Sequence, residues 1–200
     1  MDAASWDERY RERELVWSVG PNAVVAEELA DHPRGRVLDL AAGEGRNALW
    51  LAEQGFEVEA VEFSPVAIDK AGALAARRGV TVTFTLADLT EPLSLAPALV
   101  VLVAYLQLPR AVERDVLRRA AALVASGGTF LLIAHARRNL EDGVGGPQDP
   151  ELLPTVEEVT AAIDGTGLVV ERAGEVTRDV EVEGVQRRAI DLLVRAHRPA

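Results

Sequence analysis

The chain has 200 residues, 48% of them hydrophobic, and its 32 acidic against 21 basic side chains give a net charge of −11. That length and apolar content suit one compact globular domain and exclude a disordered chain. The charge argues against a nucleic-acid partner, since no basic surface offsets phosphate repulsion, and the lack of cysteine excludes disulfides, thiolate metal sites and thiol catalysis.

The N-terminal residues 1–13 are charged and have no apolar core, so they do not read as a signal peptide. The longest apolar run, 98–106, is far short of the roughly 20 residues a membrane helix needs. A cytoplasmic protein without a membrane partner is expected. Residues 6–14 and 22–30 read as two helices ahead of the sheet, with Pro21 suited to the start of the second. A short buried strand over 37–40 runs into Ala41-Ala42-Gly43-Glu44-Gly45, and a helix over 46–54 follows, stopped by Gly55. The strand 58–62 ends in Glu62, after which Ser64 is an N-cap, Pro65 the first helical residue and Gly79 the stop.

A strand over 81–86 leads to Ala87-Asp88-Leu89, and the continuous apolar run 99–104 reads as a central strand buried on both faces. Val112, Val116, Leu117, Ala120 and Val124 have helical spacing over 110–124. Ser126-Gly127-Gly128 turns the chain into a strand over 129–134. A long loop, 136–154, precedes a helix over 155–164, where Thr155 and Glu158 form a capping box. Two β-rich segments, 168–182 and 186–196, are joined at Glu183-Gly184. Alternating strands and helices imply an α/β fold with a mostly parallel sheet.

The segment from Asp39 to Gly45 carries the chemistry. Gly43 and Gly45 permit positive φ and a close ligand approach, and the helix that follows offers unpaired N–H groups. Asp39 sits at the strand's carboxyl end, where open α/β sheets bind ligands. Gly43-Glu44-Gly45-Arg46-Asn47-Ala48 also fits the dinucleotide pattern, with Glu62 near the ribose-acid position. Asp39 argues against that reading, because a carboxylate facing a pyrophosphate is repelled by several kcal/mol at an effective dielectric of about 20.

The run Asp39-Leu40-Ala41-Ala42-Gly43-Glu44-Gly45 resembles motif I of the class I S-adenosylmethionine-dependent methyltransferases, with Ala41 in place of the first glycine. The resemblance extends to Glu62-Phe63 and to Asp88-Leu89, which gives three acids at three successive strand ends. Gly43-Glu44-Gly45-Arg46-Asn47, with Trp6-Asp7 and Tyr10 upstream, is most similar to the small-molecule branch related to tellurite-resistance and thiopurine methyltransferases. Leu99 departs from the family, in which an acid often opens the fourth strand.

The resemblance implies a Rossmann-like sheet of seven mostly parallel strands with helices on both faces, closed by a hairpin whose last strand is antiparallel. It implies a single domain over 1–200. Residues 1–34, with Trp6, Tyr10 and Trp17, would form a helical lid on a core of 35–200. The implied cofactor is S-adenosylmethionine, released as S-adenosylhomocysteine. Its implied contacts are Asp39, Ala41, Gly43, Gly45, Asn47, Glu62, Phe63, Asp88, Leu89 and Ala104. In the family the acid at Glu62 holds both ribose hydroxyls, and the acid at Asp88 takes the adenine amino group.

The acceptor is expected above the fourth and fifth strands. The net charge favours a small molecule there, with an oxygen, sulfur or oxyanion nucleophile. His135 is the candidate base and Tyr105 a second catalytic candidate or an aromatic wall. Arg137, Arg138 and Asn139 are candidate acceptor contacts, and the loop 136–154 reads as an acceptor-binding loop. No metal is expected, since Asp142, Asp149 and Glu151 match no ligand spacing. A non-catalytic adenosylmethionine-binding module and a dinucleotide oxidoreductase are the alternatives, and a homodimer is left open.

Overall fold

The structure is a computed structural model that describes residues 3–16, 18–182 and 184–200. Two helices come first, α1 (Ala3–Arg11) and α2 (Ala23–Leu29). Asn22 caps α2 by accepting the Val24 and Val25 N–H groups, which places Pro21 just outside the helix rather than at its first turn. Next come β1 (Arg36–Leu40), α3 (Arg46–Glu53), β2 (Glu57–Glu62) and α4 (Pro65–Arg78). Ser64 caps α4 through the Ala67 N–H, Pro65 opens it, and Gly79 closes it at φ 66°. Then follow β3 (Thr83–Leu86), β4 (Ala98–Ala104), α5 (Arg110–Ala122), β5 (Val124–His135), α6 (Asn139–Asp142), α7 (Val156–Ile163), β6 (Val169–Val182) and β7 (Val185–His197).

The seven strands are ordered β3-β2-β1-β4-β5-β7-β6. β1 pairs in parallel with β2 and β4, and β2 with β3; β7 is antiparallel to both β5 and β6. This is the Rossmann-like arrangement, with the hairpin folded back so that β7 lies inside and β6 is the edge. Among the described residues no helix is long and apolar enough to cross a membrane.

Two expectations need correction. The turn at Ser126-Gly127-Gly128 lies inside β5, because Gly127 donates to the Arg198 carbonyl and Arg198 donates back to Gly128. On α5, Val112 is exposed while Glu113 is buried, so the apolar stripe is narrower than its spacing suggested. Burial pushes the Glu113 carboxyl up to about 7, helped by the nearby Glu158 charge and opposed by Arg110.

The chain forms two compact units, Met1–Ala104 and Tyr105–Ala200. In the first, Leu38, Leu40, Leu49, Leu51 and Leu102 are fully or almost fully buried; in the second, Phe130, Leu131, Leu132, Ile133 and Leu117 are. Leu99 lies over Gly35, where an added Cβ would come within 2.8 Å of it.

Candidate active site

In the first unit Asp39 is the penultimate residue of β1, and after Leu40 the chain turns through three left-handed residues, Ala41 (φ 61°), Gly43 (57°) and Gly45 (77°). At Ala41 an L side chain takes a conformation that costs on the order of 1 kcal/mol. Gly45 is the N-cap of α3, and no side chain caps that end. The first N–H groups of the helix therefore have no side-chain cap at Gly45, and the Ala48 N–H of that turn is directed toward Asp39.

Asp39 is 1% exposed, and neither carboxylate oxygen has an aligned hydrogen-bond partner. Burial pushes its carboxyl up to about 7; the Arg46 charge and the nearby Ala48 N–H pull it down, and Glu62 pushes it further up. Glu62 is also buried, but its oxygens are engaged: Oε2 accepts from the Gly43 N–H at 2.9 Å and Oε1 from the Ser64 N–H at 3.0 Å. One carboxylate thus ties the glycine turn to the end of β2. The Phe63 N–H is a third backbone donor drawn to this carboxylate. Burial raises the Glu62 carboxyl, against the pull of those backbone donors.

The other expected contacts differ in how committed they are. Asn47 is buried and accepts the Asn22 N–H through Oδ1 at 2.9 Å. Asp88 is exposed, and its Oδ1 takes both the Thr90 N–H and hydroxyl at 2.8 Å, a turn-capping arrangement that leaves Oδ2 outside that pair. Ala104 and Leu89 are half-buried. Phe63 packs against Trp6, Tyr10 and Ala67.

That packing anchors the N-terminal segment. Trp6 and Tyr10 stack at 5.5 Å, and Ser64 Oγ donates to Asp7. Lys70 Nζ donates to the Tyr10 and Arg13 carbonyls and to Glu44 Oε1. Glu44 Oε2 in turn accepts the Val16 N–H at 2.9 Å. Glu44, between the two glycines, therefore fastens the segment that precedes the sheet. Trp17, the third aromatic expected there, lies outside the described residues.

In the second unit His135 ends β5, 8% exposed, and faces Asp191 across the antiparallel pairing with β7. His135 Nδ1 lies 3.2 Å from Asp191 Oδ1, within ion-pairing reach but off the line of a hydrogen bond. The other oxygen, Oδ2, accepts from the Tyr105 hydroxyl at 2.6 Å and from Arg178 Nε at 2.5 Å. Burial opposes the Asp191 charge, yet His135, Tyr105 and Arg178 together hold its carboxyl below the ordinary value. Tyr105 reaches this position with φ 57°, rare for an aromatic residue, and its ring sits 4.7 Å from that of His135. Its hydroxyl is thus spent on Asp191 rather than presented to solvent.

The expected acceptor contacts are largely engaged. Asn139 is buried, donates to the Val144 and Gly145 carbonyls and accepts the Ile190 N–H, so it scaffolds its own loop. Arg137 donates to the Leu153 carbonyl and to Glu158. Arg138 pairs with Glu175 at 3.0 Å. Both arginines line an open pocket of about 520 Å³ with Pro154, Val156, Glu141 and Glu175. Asp149 caps a short 3-10 turn (Pro150–Leu152), and Glu151 and Asp142 face Arg110 and Arg138. Among the described residues no three acids or histidines gather as metal ligands.

Asp191 and Arg178 escaped the sequence reading. The available signal was a lone acid inside the apolar run from Ala189 to Val194, since a charge in a buried strand must find partners.

Residues 37–128 match the family model of a methyltransferase domain. The matched stretch covers just under half of the chain, from β1 into β5. It is 38% identical over 78 residues to the 2-heptyl-1-hydroxyquinolin-4(1H)-one methyltransferase of Mycobacteroides abscessus, and that stretch covers 38% of this chain. The chain spans about a third of that relative, 34% of its length. Two solved structures share the fold. One comes from work on the conversion of a disulfide bond into a thioacetal group during echinomycin biosynthesis (TM-score 0.77, 23% identity, 98% of this chain and 91% of the other). The other is magnesium protoporphyrin IX methyltransferase from Synechocystis PCC 6803 with bound S-adenosylmethionine (TM-score 0.64, 17% identity, 98% and 80%).

The chemistry of the first unit fits S-adenosylmethionine, the methyl donor that the matched domain implies. An unpartnered buried carboxylate suits a ligand that brings a cationic amino group, and a turn of small residues lets that ligand approach the backbone.

Proposed function

We propose that the chain transfers a methyl group from S-adenosylmethionine to a small-molecule acceptor. The observation that carries this is Asp39, a buried carboxylate whose oxygens have no aligned partner, at the head of a glycine turn already tied to Glu62. When bound, the sulfonium supplies an activated methyl group, so the protein's work is binding, alignment and water exclusion. Alignment of this kind is worth roughly 7–11 kcal/mol. In this reading Asp39 meets the cationic amino group, Glu62 takes the ribose hydroxyls, and Asp88 Oδ2 serves the adenine. Phe63, with Trp6 and Tyr10 behind it, forms the apolar wall, and residues 1–34 act as the lid.

For the acceptor we infer a small hydroxylated compound with His135 as the base that takes its proton. The relative named for a hydroxyquinolinone supports that class, as does a histidine held in one place beside a carboxylate. Arg137 and Arg138, at the rim of the 520 Å³ pocket, are the groups available to an anionic substituent. The test is calorimetry with S-adenosylmethionine, S-adenosylhomocysteine and NAD, followed by a methyl-transfer screen of phenols, hydroxyquinolinones, thiols and oxyanions. Binding of the first two ligands and turnover of a hydroxyl compound is the expected result. Binding of NAD alone would overturn the reading, and adenosyl ligand binding without turnover across the screen would reduce it to a binding module.

A further inference from the structure

We propose that Asp191, with Tyr105 and Arg178, holds His135 in the tautomer protonated at Nδ1, so that Nε2 is the ring's free acceptor. The proposal rests on the reading of His135 as a base, and it makes Asp191 a positioning residue. Three observations carry it. Asp191 Oδ2 already accepts from two donors, the Tyr105 hydroxyl and Arg178 Nε, so Oδ1 is the oxygen turned to the ring. His135 Nδ1 stands 3.2 Å from that oxygen. An unprotonated Nδ1 would set a lone pair against a carboxylate in a site where Asp191 is 0% exposed; a proton on Nδ1 turns that repulsion into attraction.

The ring is also held on its faces. Tyr105 packs against one side at 4.7 Å, with its backbone fixed by an N–H donated to the Ile133 carbonyl at 2.7 Å. Gly146 approaches so closely that an added Cβ would stand 2.8 Å from the imidazole carbons. Asn139 sets that approach by donating to the Gly145 carbonyl at 2.8 Å. The charged and titratable groups facing the ring among the described residues are Asp191 from β7, Tyr105 and, behind it, Arg178 from β6. A left-handed tyrosine packed on the histidine is a backbone conformation that persists when the surroundings over-determine it.

Asp191→Asn separates this role from simple packing. The amide oxygen is drawn to the two donors at the Oδ2 position, which turns the amide NH2 toward Nδ1 and reverses the tautomer. In serine-protease triads the same acid-to-amide change costs about 10⁴ in turnover while the geometry is kept. The experiment is long-range ¹H–¹⁵N correlation on the ¹⁵N-histidine-labelled full chain, with His135 assigned by its loss in His135→Gln. The wild-type chain should show Nδ1 protonated and Nε2 unprotonated above the ring's titration. Asp191→Asn should show the reverse, with turnover of a hydroxyl acceptor lowered about 10²–10⁴-fold and calorimetric affinity for S-adenosylmethionine unchanged. A wild-type ring protonated at Nε2 overturns the proposal and needs no variant to be seen, as does an Asn variant that keeps the wild-type tautomer. Failure of the methyl-transfer reading would show separately, as absence of adenosylmethionine binding by the wild-type chain.

Discussion

Asp39 and Asp191 are the same side chain at nearly the same exposure, 1% and 0%, one in each unit, and their carboxyls shift in opposite directions. Asp39 has no aligned donor, and burial pushes it up to about 7. Desolvation opposes the Asp191 charge as well, but a tyrosine hydroxyl, an arginine and a histidine outweigh it and keep the charge. Burial alone therefore does not set the state of a carboxylate; the donors around it do. An unsatisfied buried acid marks a place for a cation that arrives from outside. One already held by donors of its own fold marks scaffold.

The largest effect expected on that contrast comes from Asp191→Ala. It strands the Arg178 charge and the Tyr105 hydroxyl, and should lower unfolding free energy by about 3–5 kcal/mol in urea titrations. The linkage has the acid sign: because the folded carboxyl is depressed, its contribution is present above the unfolded value and fades as pH falls through the folded one. A variant within 1 kcal/mol of wild type would erase the difference between the two aspartates.

Next is Glu62→Ala, which removes the acceptor of the Gly43 and Ser64 N–H groups along with the proposed ribose contact. A charge-assisted bond is worth about 1.5–3 kcal/mol. The calorimetric affinity for S-adenosylmethionine should therefore fall at least about tenfold, and unchanged affinity in the folded variant would remove Glu62 from the site.

Asp39→Asn should act in the opposite direction on stability. The folded carboxyl lies above its unfolded value, so folding takes up a proton between 3.8 and about 7, and stability falls as pH rises across that window. At pH 8 the amide should stabilise the unliganded chain by about 1–3 kcal/mol, the relieved charge burial being partly offset by an unbonded amide. The wild-type affinity for S-adenosylmethionine should rise with pH, by up to about tenfold per unit, until about 7. The Asn variant should bind weakly without that slope. A pH-independent wild-type affinity would mean that Asp39 stays neutral in the complex.

The smallest effect is expected at Ala41, whose φ of 61° favours glycine. Ala41→Gly should raise stability by about 0.5–1 kcal/mol in the same urea titrations, the left-handed strain relieved exceeding the entropy glycine adds to the unfolded chain. A loss of stability would show that the Ala41 methyl contributes packing.

The local features of the first unit were legible from the chain because each is written in neighbouring residues. A short apolar strand, an acid, small residues with left-handed φ and a helix start follow one another from Val37 to Asn47, and Ser64-Pro65 and Gly79 bound α4 in the same way. Period-two and period-3.6 patterns likewise located most strands and helices to within a few residues, but missed the early start of β5 and the short α6 inside the loop 136–154. Partners that lie far apart in the sequence were a different matter. His135 could be picked out as a strand-end imidazole, yet its carboxylate stands 56 positions later, on a strand whose place between β5 and β6 no local pattern encodes. The engagement of Asn139, Arg137 and Asn47 with backbone groups was equally hidden, since a polar side chain reads the same whether it faces water, a ligand or a buried carbonyl. Local conformational preference belongs to the sequence, whereas the charge and hydrogen-bonding state of a buried group depend on what the folded chain brings within about 3 Å of it.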